Sequence, residues 1–356
     1  MSQKPTIPKG TRDFGPDVMS KRNFIFNTIR TVFEKFGFMS LETPSLENLD
    51  VLTGKYGDEG DQLIFKILNS GDFLSKTSEE DFINGSRQML PKISKKGLRY
   101  DLTVPFARYV VMNQHNITFP FKRFQIQPVW RADRPQKGRY QEFYQCDADV
   151  VGTTSLLCES EIIQMINEVF SLLKIEDYSI KINHRAILSG MVEFIEAKGK
   201  EADFFVAIDK LDKIGWDKVM EELLSKGFSQ AALGKLSPFF KPYSSIEDKI
   251  VFLKSVFNNS NPGVKGIKDL ETILNYVALS GLKNTHLELD LTLARGLSYY
   301  TGAIFEVKVN NASIGSVSGG GRYDDLTSIF GLNDVSGVGF SFGVDRLYDV
   351  MEELSL

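Results

Sequence analysis

Between Phe121 and Tyr140, six cations (Lys122, Arg123, Arg131, Arg134, Lys137, Arg139) stand against one acid, Asp133. The segment 121–151 reads as an antiparallel hairpin. In its first arm Phe124, Ile126 and Trp130 share one face, while Arg123, Gln125, Gln127 and Arg131 share the other. In its second arm Tyr144, Cys146, Ala148 and Val150 share one face, and Phe143, Gln145, Asp147 and Asp149 the opposite one. A single sheet face therefore carries a guanidinium, an aromatic plane, an amide and carboxylates. Arg131 there can hold a phosphate, Phe143 can stack on a base, and Gln145 with Asp149 can bind a small polar ligand. The competing reading is the solvated outer face of a half-buried hairpin. Alternation alone does not separate the two.

Other chemistries are excluded by what is missing. There is no G-x-x-x-x-G-K-[ST] phosphate loop, and Gly337-Val338-Gly339 followed by Gly343 misses the dinucleotide spacing by one residue. His115, His184 and His286 lie far apart, which rules out a structural zinc site and a histidine-based protease. Cys146 and Cys158 make no disulfide framework. No apolar run approaches the roughly 20 residues that span a bilayer, and the N-terminus lacks a signal core. The cytoplasm is the expected compartment.

The elements that must position the hairpin follow from periodicity. Residues 19–36 read as a helix, with Ile25, Ile29, Val32, Phe33 and Phe36 at helical spacing and Gly37 as a left-handed cap. Strands are expected at 38–43, 62–69 and 98–103. The polar stretch 69–96 is expected as a long exposed connection. Thr103 and Pro105 suit the start of a helix, and a further helix is expected from about 156 to 173. Residues 191–285 carry 13 basic and 13 acidic residues and a helical pattern, and read as an inserted helical domain. Strands are expected at 287–293 and 303–309 and a strand-to-helix unit at 337–354, while the glycine cluster 319–321 suits either a tight turn or a close approach of backbone to a ligand. The 356 residues, with net charge −4, 42% hydrophobic and 25% charged, suit a globular α+β protein with helices flanking an antiparallel sheet.

At this point the chain resembles a known family. Phe124-Gln-Ile-Gln-Pro-Val-Trp-Arg-Ala-Asp-Arg-Pro-Gln-Lys-Gly-Arg-Tyr-Gln-Glu-Phe-Tyr-Gln-Cys-Asp-Ala-Asp149 is similar to motif 2 of class II aminoacyl-tRNA synthetases in their histidyl form. Lys9-Gly-Thr-Arg-Asp-Phe14 resembles that family's N-terminal signature, and the helix and strand ending at Pro44 its motif 1. Leu98-Arg-Tyr-Asp-Leu-Thr-Val-Pro105 resembles the amino-acid-binding segment. Leu293-Ala-Arg-Gly-Leu-Ser-Tyr-Tyr-Thr-Gly302 and Gly319-Gly-Gly-Arg-Tyr-Asp-Asp-Leu326 resemble the two histidine signatures, and Gly337-Val-Gly-Phe-Ser-Phe-Gly-Val-Asp-Arg-Leu347 motif 3. Each match alone is weak. The ordered set covers nearly the whole chain.

The resemblance implies a class II catalytic sheet split into 1–190 and 286–356 around the insert at 191–285. It implies ATP with Mg2+, L-histidine and tRNA(His) as ligands, and a homodimer through motif 1. By position, Arg131 would bridge the α-phosphate and the histidine carboxylate, with Arg295 beside it. Arg139 and Arg346 would hold the outer phosphates, Phe143 the adenine ring and Asp133 its amino group. Asp101, Thr103 and Gln145 would take the α-ammonium. Asp149 and Tyr300 would read the two imidazole nitrogens, with Tyr299 packed beside the ligand. Arg134 and Gln136 are candidates for the tRNA acceptor end. Many bacterial relatives carry Glu where this chain has Asp101 and Asp149.

Each residue also has a plain alternative. Tyr299 and Tyr300 can be core or interface aromatics, Arg322 a surface or salt-bridging arginine, and Arg346 a helix cap. Synthetases of this kind carry an anticodon-binding domain after motif 3, and here about ten residues follow Arg346. Related paralogues without that domain act as regulatory subunits of ATP phosphoribosyltransferase. That role is the rival expectation, a generic ATP-binding module is the third, and the retained arginines favour catalysis.

Overall fold

A computed structural model describes residues 4–282, 286–294 and 299–356, with backbone alone at 57–59. Two compact units emerge. The first comprises Met1–Asp149, Asp325–Val335 and Ser341–Leu356, and the second Val150–Asp324 and Ser336–Phe340.

In the first unit the helix Pro16–Lys35 buries Ile25, Ile29, Val32 and Phe33. Pro16 opens it where a backbone N–H has no intrahelical partner. Gly37, at φ +80°, closes it. The Gly37 N–H donates to Glu34 and the Phe38 N–H to Phe33, and the Phe33 and Phe38 rings meet at 6.2 Å. That combination is the left-handed cap expected from sequence. Phe33 also packs on Phe124 and Phe342, so the helix covers the apolar face of the hairpin. The hairpin strands are Phe121–Trp130 and Glu142–Val151, and Met39–Ser40 pairs parallel to the first of them. The helix Val344–Glu353 lies against Pro16–Lys35.

A smaller sheet joins Leu46–Asn48, Lys96–Leu98 and Lys66–Ile67. Here several expectations fail. The strand expected at 62–69 is instead a helix, Gly57–Leu63, followed by a two-residue strand. Lys66 Nζ donates to the carbonyls of Asp61 and Ile64, covering the helix end. A short apolar run fits helix end and strand equally well. The expected connection 69–96 contains helices Glu79–Ile83 and Ser86–Ile93. The Asp81 carboxylate accepts from the Ser78 N–H at 2.7 Å and from Lys92 at 2.7 Å, which starts one helix and ties it to the next. The strand expected at 98–103 ends at Leu98, because helix Thr103–Met112 begins first.

In the second unit four strands lie in the order Leu287–Leu289, Tyr178–His184, Ala303–Val309, Ser318–Tyr323. The pair Tyr178–His184 and Leu287–Leu289 is parallel, so the sheet is mixed rather than wholly antiparallel. Helix Leu157–Leu172 matches its expected span. The described part of the expected helical segment holds helices joined by short turns, from Glu201 to Leu279 after Arg185–Phe194. Helix Asn261–Leu279 packs on Arg185–Phe194 and Leu157–Leu172 within this unit. Gly319–Gly321 form strand rather than turn. A Cβ on Gly320 would stand 2.1 Å from the Gly339 carbonyl oxygen, so the neighbouring backbone excludes any side chain there. The strand Gly337–Gly343 begins in the second unit and ends in the first. No helix among the described residues is long and apolar enough to cross a membrane.

Candidate active site

The polar face of the hairpin is not a solvated surface. Arg123 and Gln125 are 0% exposed, and Asp147 and Asp149 are 2% exposed. Burying charged groups is costly unless they are paired or serve a ligand, so the outer-face alternative fails.

Arg131 closes the first arm. Its Nε donates to the Tyr100 carbonyl at 3.0 Å and its Nη2 to Gln145 Oε1 at 3.4 Å. The guanidinium carbon lies 4.3 Å from the Tyr100 ring centroid and 5.2 Å from that of Phe143. Two aromatic faces therefore hold the cation in plane while it stays half-buried, a geometry suited to an anion that arrives from outside. Gln145 Nε2 donates to the Ser341 hydroxyl at 2.9 Å, which fixes the amide end for end.

Asp101 and Thr103 do not share a strand face. Thr103 is the first residue of a helix, and Asp101 lies two residues before it. The Asp101 carboxylate accepts from the Val104 N–H at 3.1 Å and from the Tyr56 hydroxyl at 2.9 Å. Exposed helical N–H groups need such an acceptor, and an aspartate supplies it better than a strand pairing would. Burial and the adjacent Asp101 hold the Tyr56 phenol well above its usual range, so Tyr56 remains a donor. Asp149 meets Arg123 at 2.9 Å. Burial first, then the nearby Asp149 and Asp101 charges, push Asp147 up to about 7 against the pull of Arg123 and Ser341.

At the outer end, Arg139 stands 3.6 Å from Asp133 and keeps over a third of its side chain exposed. Arg346 Nε donates to the Gly138 carbonyl at 2.7 Å, so the loop and the last helix bring the two arginines' segments together. Asp345 secures that helix start: it takes Arg12, Arg22 at 2.6 Å and the Tyr144 N–H at 2.9 Å. Arg134 and Gln136 are exposed on the same loop, and Lys137 pairs with Glu353.

In the second unit the Tyr299 and Tyr300 rings meet at 5.1 Å, and Tyr299 also edges Tyr323 at 6.0 Å. Arg295 lies outside the described residues. Arg322 is the salt-bridging alternative: it is buried and pairs through two nitrogens with Glu159, at 2.6 and 2.8 Å.

Sequence reasoning placed Arg123 and Asp147 on the correct face without giving them a role. The pairing of buried opposite charges at alternate positions was the available signal. Nothing in the sequence pointed to Tyr56, Tyr100 or Ser341, which reach the face from three other elements. Among the described residues no group of three or more His, Cys, Asp or Glu is placed to hold a metal ion.

Residues 87–347 match the family model described as histidyl-tRNA synthetase. A histidine–tRNA ligase of Cytophaga hutchinsonii is 61% identical over 99% of this chain and 78% of its own length. One from Christiangramia forsetii is 58% identical over all of this chain and 78% of its own. The crystal structure of histidyl-tRNA synthetase from Nostoc sp. PCC 7120 superposes with TM-score 0.83 at 30% identity, covering 99% of this chain and 77% of that one. A Bacillus halodurans structure titled as an ATP phosphoribosyltransferase regulatory subunit/histidyl-tRNA synthetase shares the fold at TM-score 0.79 and 21% identity, covering 98% and 84%. Fold likeness alone thus does not choose between charging and regulation, whereas the family match and the high identity to ligases do. With that match spanning most of the chain and both hairpin arms inside it, the chain belongs to the histidyl-tRNA synthetase family.

Proposed function

We propose that this protein activates L-histidine with ATP and transfers it to the 3′ end of tRNA(His), with the residue roles set out below. The enzyme class is histidine–tRNA ligase. The histidine carboxylate attacks the α-phosphate of ATP, giving histidyl-adenylate and pyrophosphate. A ribose hydroxyl of the tRNA then takes the histidyl group. The first step needs no protein nucleophile. It needs two anions held in line and their charge offset, which is electrostatic and positional catalysis.

The observation that carries these roles is the Arg131 guanidinium, held between Tyr100 and Phe143 with its amide neighbour Gln145 fixed by Ser341. Arg131 bridges the two anions, and Arg295 adds a second cation beside the α-phosphate. Arg139 and Arg346 take the outer phosphates. Phe143 stacks on adenine and Asp133 accepts from its amino group. The α-ammonium goes to Asp101, Thr103 and Gln145. Neutral imidazole offers one donor and one acceptor, and Asp149 and Tyr300 read them. Such a pair rejects apolar isosteres, because its polar groups would be left without partners. Magnesium accompanies ATP and offsets phosphate charge. Arg134 and Gln136 touch the acceptor end, the segment 191–285 forms an inserted domain, two copies associate through motif 1, and the protein works in the cytoplasm.

Pyrophosphate exchange into ATP tests the proposal. Exchange should require histidine among the amino acids and vanish in Arg295→Ala. Histidine binding without exchange would leave the regulatory role standing instead. Sedimentation at micromolar concentration should show a dimer.

A further inference from the structure

Three buried carboxylates, Asp101, Asp147 and Asp149, gather on the hairpin's polar face. Two have dedicated partners for their ionised form. Asp101 accepts from Tyr56 and from the Val104 N–H. Asp149 faces Arg123 at 2.9 Å. Asp147 instead meets neutral donors, Gln145 Nε2 at 3.4 Å and the Ser341 hydroxyl. Three cations border the face: Arg123 pairs with Asp149 and the Leu102 carbonyl, Arg131 bonds the Tyr100 carbonyl and Gln145, and buried Arg99, within electrostatic reach of Asp147, bonds Gln127 and the Thr43 and Pro128 carbonyls. Arg123 acts on Asp147 only through space.

We infer that Asp147 is a positioning residue for the amino acid, whose carboxyl carries a proton in the empty site and releases it to solvent as the ligand's ammonium enters beside Gln145. The inference rests on the proposed histidine site. In this step the Asp147 O–H bond breaks, the proton passes to water, and the ammonium supplies the charge that the proton had supplied. No electrons are exchanged.

The surroundings set the direction. Burial and the charges of Asp149 and Asp101 bring Asp147 up to about 7, with Arg123 opposing. Tyr56 stays neutral across that range. Below neutrality Asp147 is uncharged and attracts an ammonium weakly. Above it the carboxylate forms and attraction strengthens. The nearest opposite charge dominates in a buried site, so the ammonium outweighs the ligand's carboxylate, which lies toward Arg131. Histidine affinity therefore rises with pH through neutrality, in addition to any contribution from the ligand's own imidazole, which titrates near ~6.5.

The test compares the full chain with Asp147→Asn. Histidine-dependent pyrophosphate exchange is followed from pH 6 to 8.5, and histidine binding is measured calorimetrically in two buffers of different ionisation enthalpy. The expected result is that the wild-type KM for histidine falls about tenfold more than the variant's between pH 6 and 8. The wild type should release more protons per histidine bound at pH 7, and the KM for ATP should be alike in both. Parallel pH profiles and equal proton release would overturn the inference while leaving the histidine site intact. If the variant does not fold, wild-type proton release decides: a release near pH 7 above that of the ligand's imidazole supports the role, and none above it refutes the role. A wild type that neither binds histidine nor exchanges pyrophosphate overturns the site and the inference together.

Discussion

Two buried arginines do opposite work in this molecule. Arg322, in the second unit, spends every donor: Nε and Nη2 on Glu159, Nη1 on the Ser336 hydroxyl and the Thr153 carbonyl, and Nη2 again on the Ser155 carbonyl. Arg123, in the first unit, is fully buried yet its Nε and Nη1 have no hydrogen-bond partner among the described residues. Among the described residues its Nη2 alone makes polar contacts, with Asp149 and the Leu102 carbonyl, while the Phe106 ring lies 4.2 Å from its guanidinium carbon. A fully satisfied network locks a fold. A partly satisfied one is tolerated where binding chemistry needs charge held in reserve.

The comparison breaks if the wrong arginine governs stability. Arg322→Met should have the largest effect, about 3–5 kcal/mol in denaturant unfolding, because Glu159 is then left charged and buried without its partner. Arg131→Ala should leave the unfolding midpoint close to wild type but lower kcat/KM for adenylation about 10²–10³-fold. Equal loss of stability in both variants would show that the site's arginine is structural as well. Gly320→Ala should cost about 1–3 kcal/mol, since its Cβ has to displace the Gly339 backbone.

Finer effects concern protons. Asp147 is ionised near pH 7 when unfolded but only about half ionised there when folded, having been raised from 3.8 to about 7. Its raised value therefore costs stability progressively as pH climbs from 4 to 7. Asp147→Asn should raise the melting temperature at pH 8 by a few degrees and leave it nearly unchanged at pH 4; thermal unfolding at both pH values checks this. Smallest is the response of Cys146. Burial pushes its thiol well above the usual range, so native protein should not react there with an alkylating reagent, whereas unfolded protein should.

Much of the site was legible because a strand's two-residue period sorts side chains by face without any tertiary information. Arg131, Phe143, Gln145 and Asp149 were placed together on that ground; Asp149 is buried and the other three are half-buried. The stretch from Asp61 to Thr103 was not legible. A capping aspartate at 101 and a lysine closing a helix end at 66 depend on which backbone groups lack partners, and hydropathy does not report that. For the glycines 319–321 the sequence left a tight turn and a close backbone approach both open, and the constraint at Gly320 is a neighbouring strand's oxygen.

The sequence by itself determined the long helix and its Gly37 cap, both hairpin arms and the family to which the chain belongs. Each depends on local periodicity, on a left-handed residue, or on ordered motifs. Only the tertiary structure decided that the polar hairpin face is buried and that Tyr56, Tyr100 and Ser341 complete it. It also decided that Arg322 is a clamp whereas Arg123 keeps unused donors. Burial and hydrogen-bond satisfaction belong to the packed chain: they depend on what stands opposite a residue, which comes from elements far away in sequence.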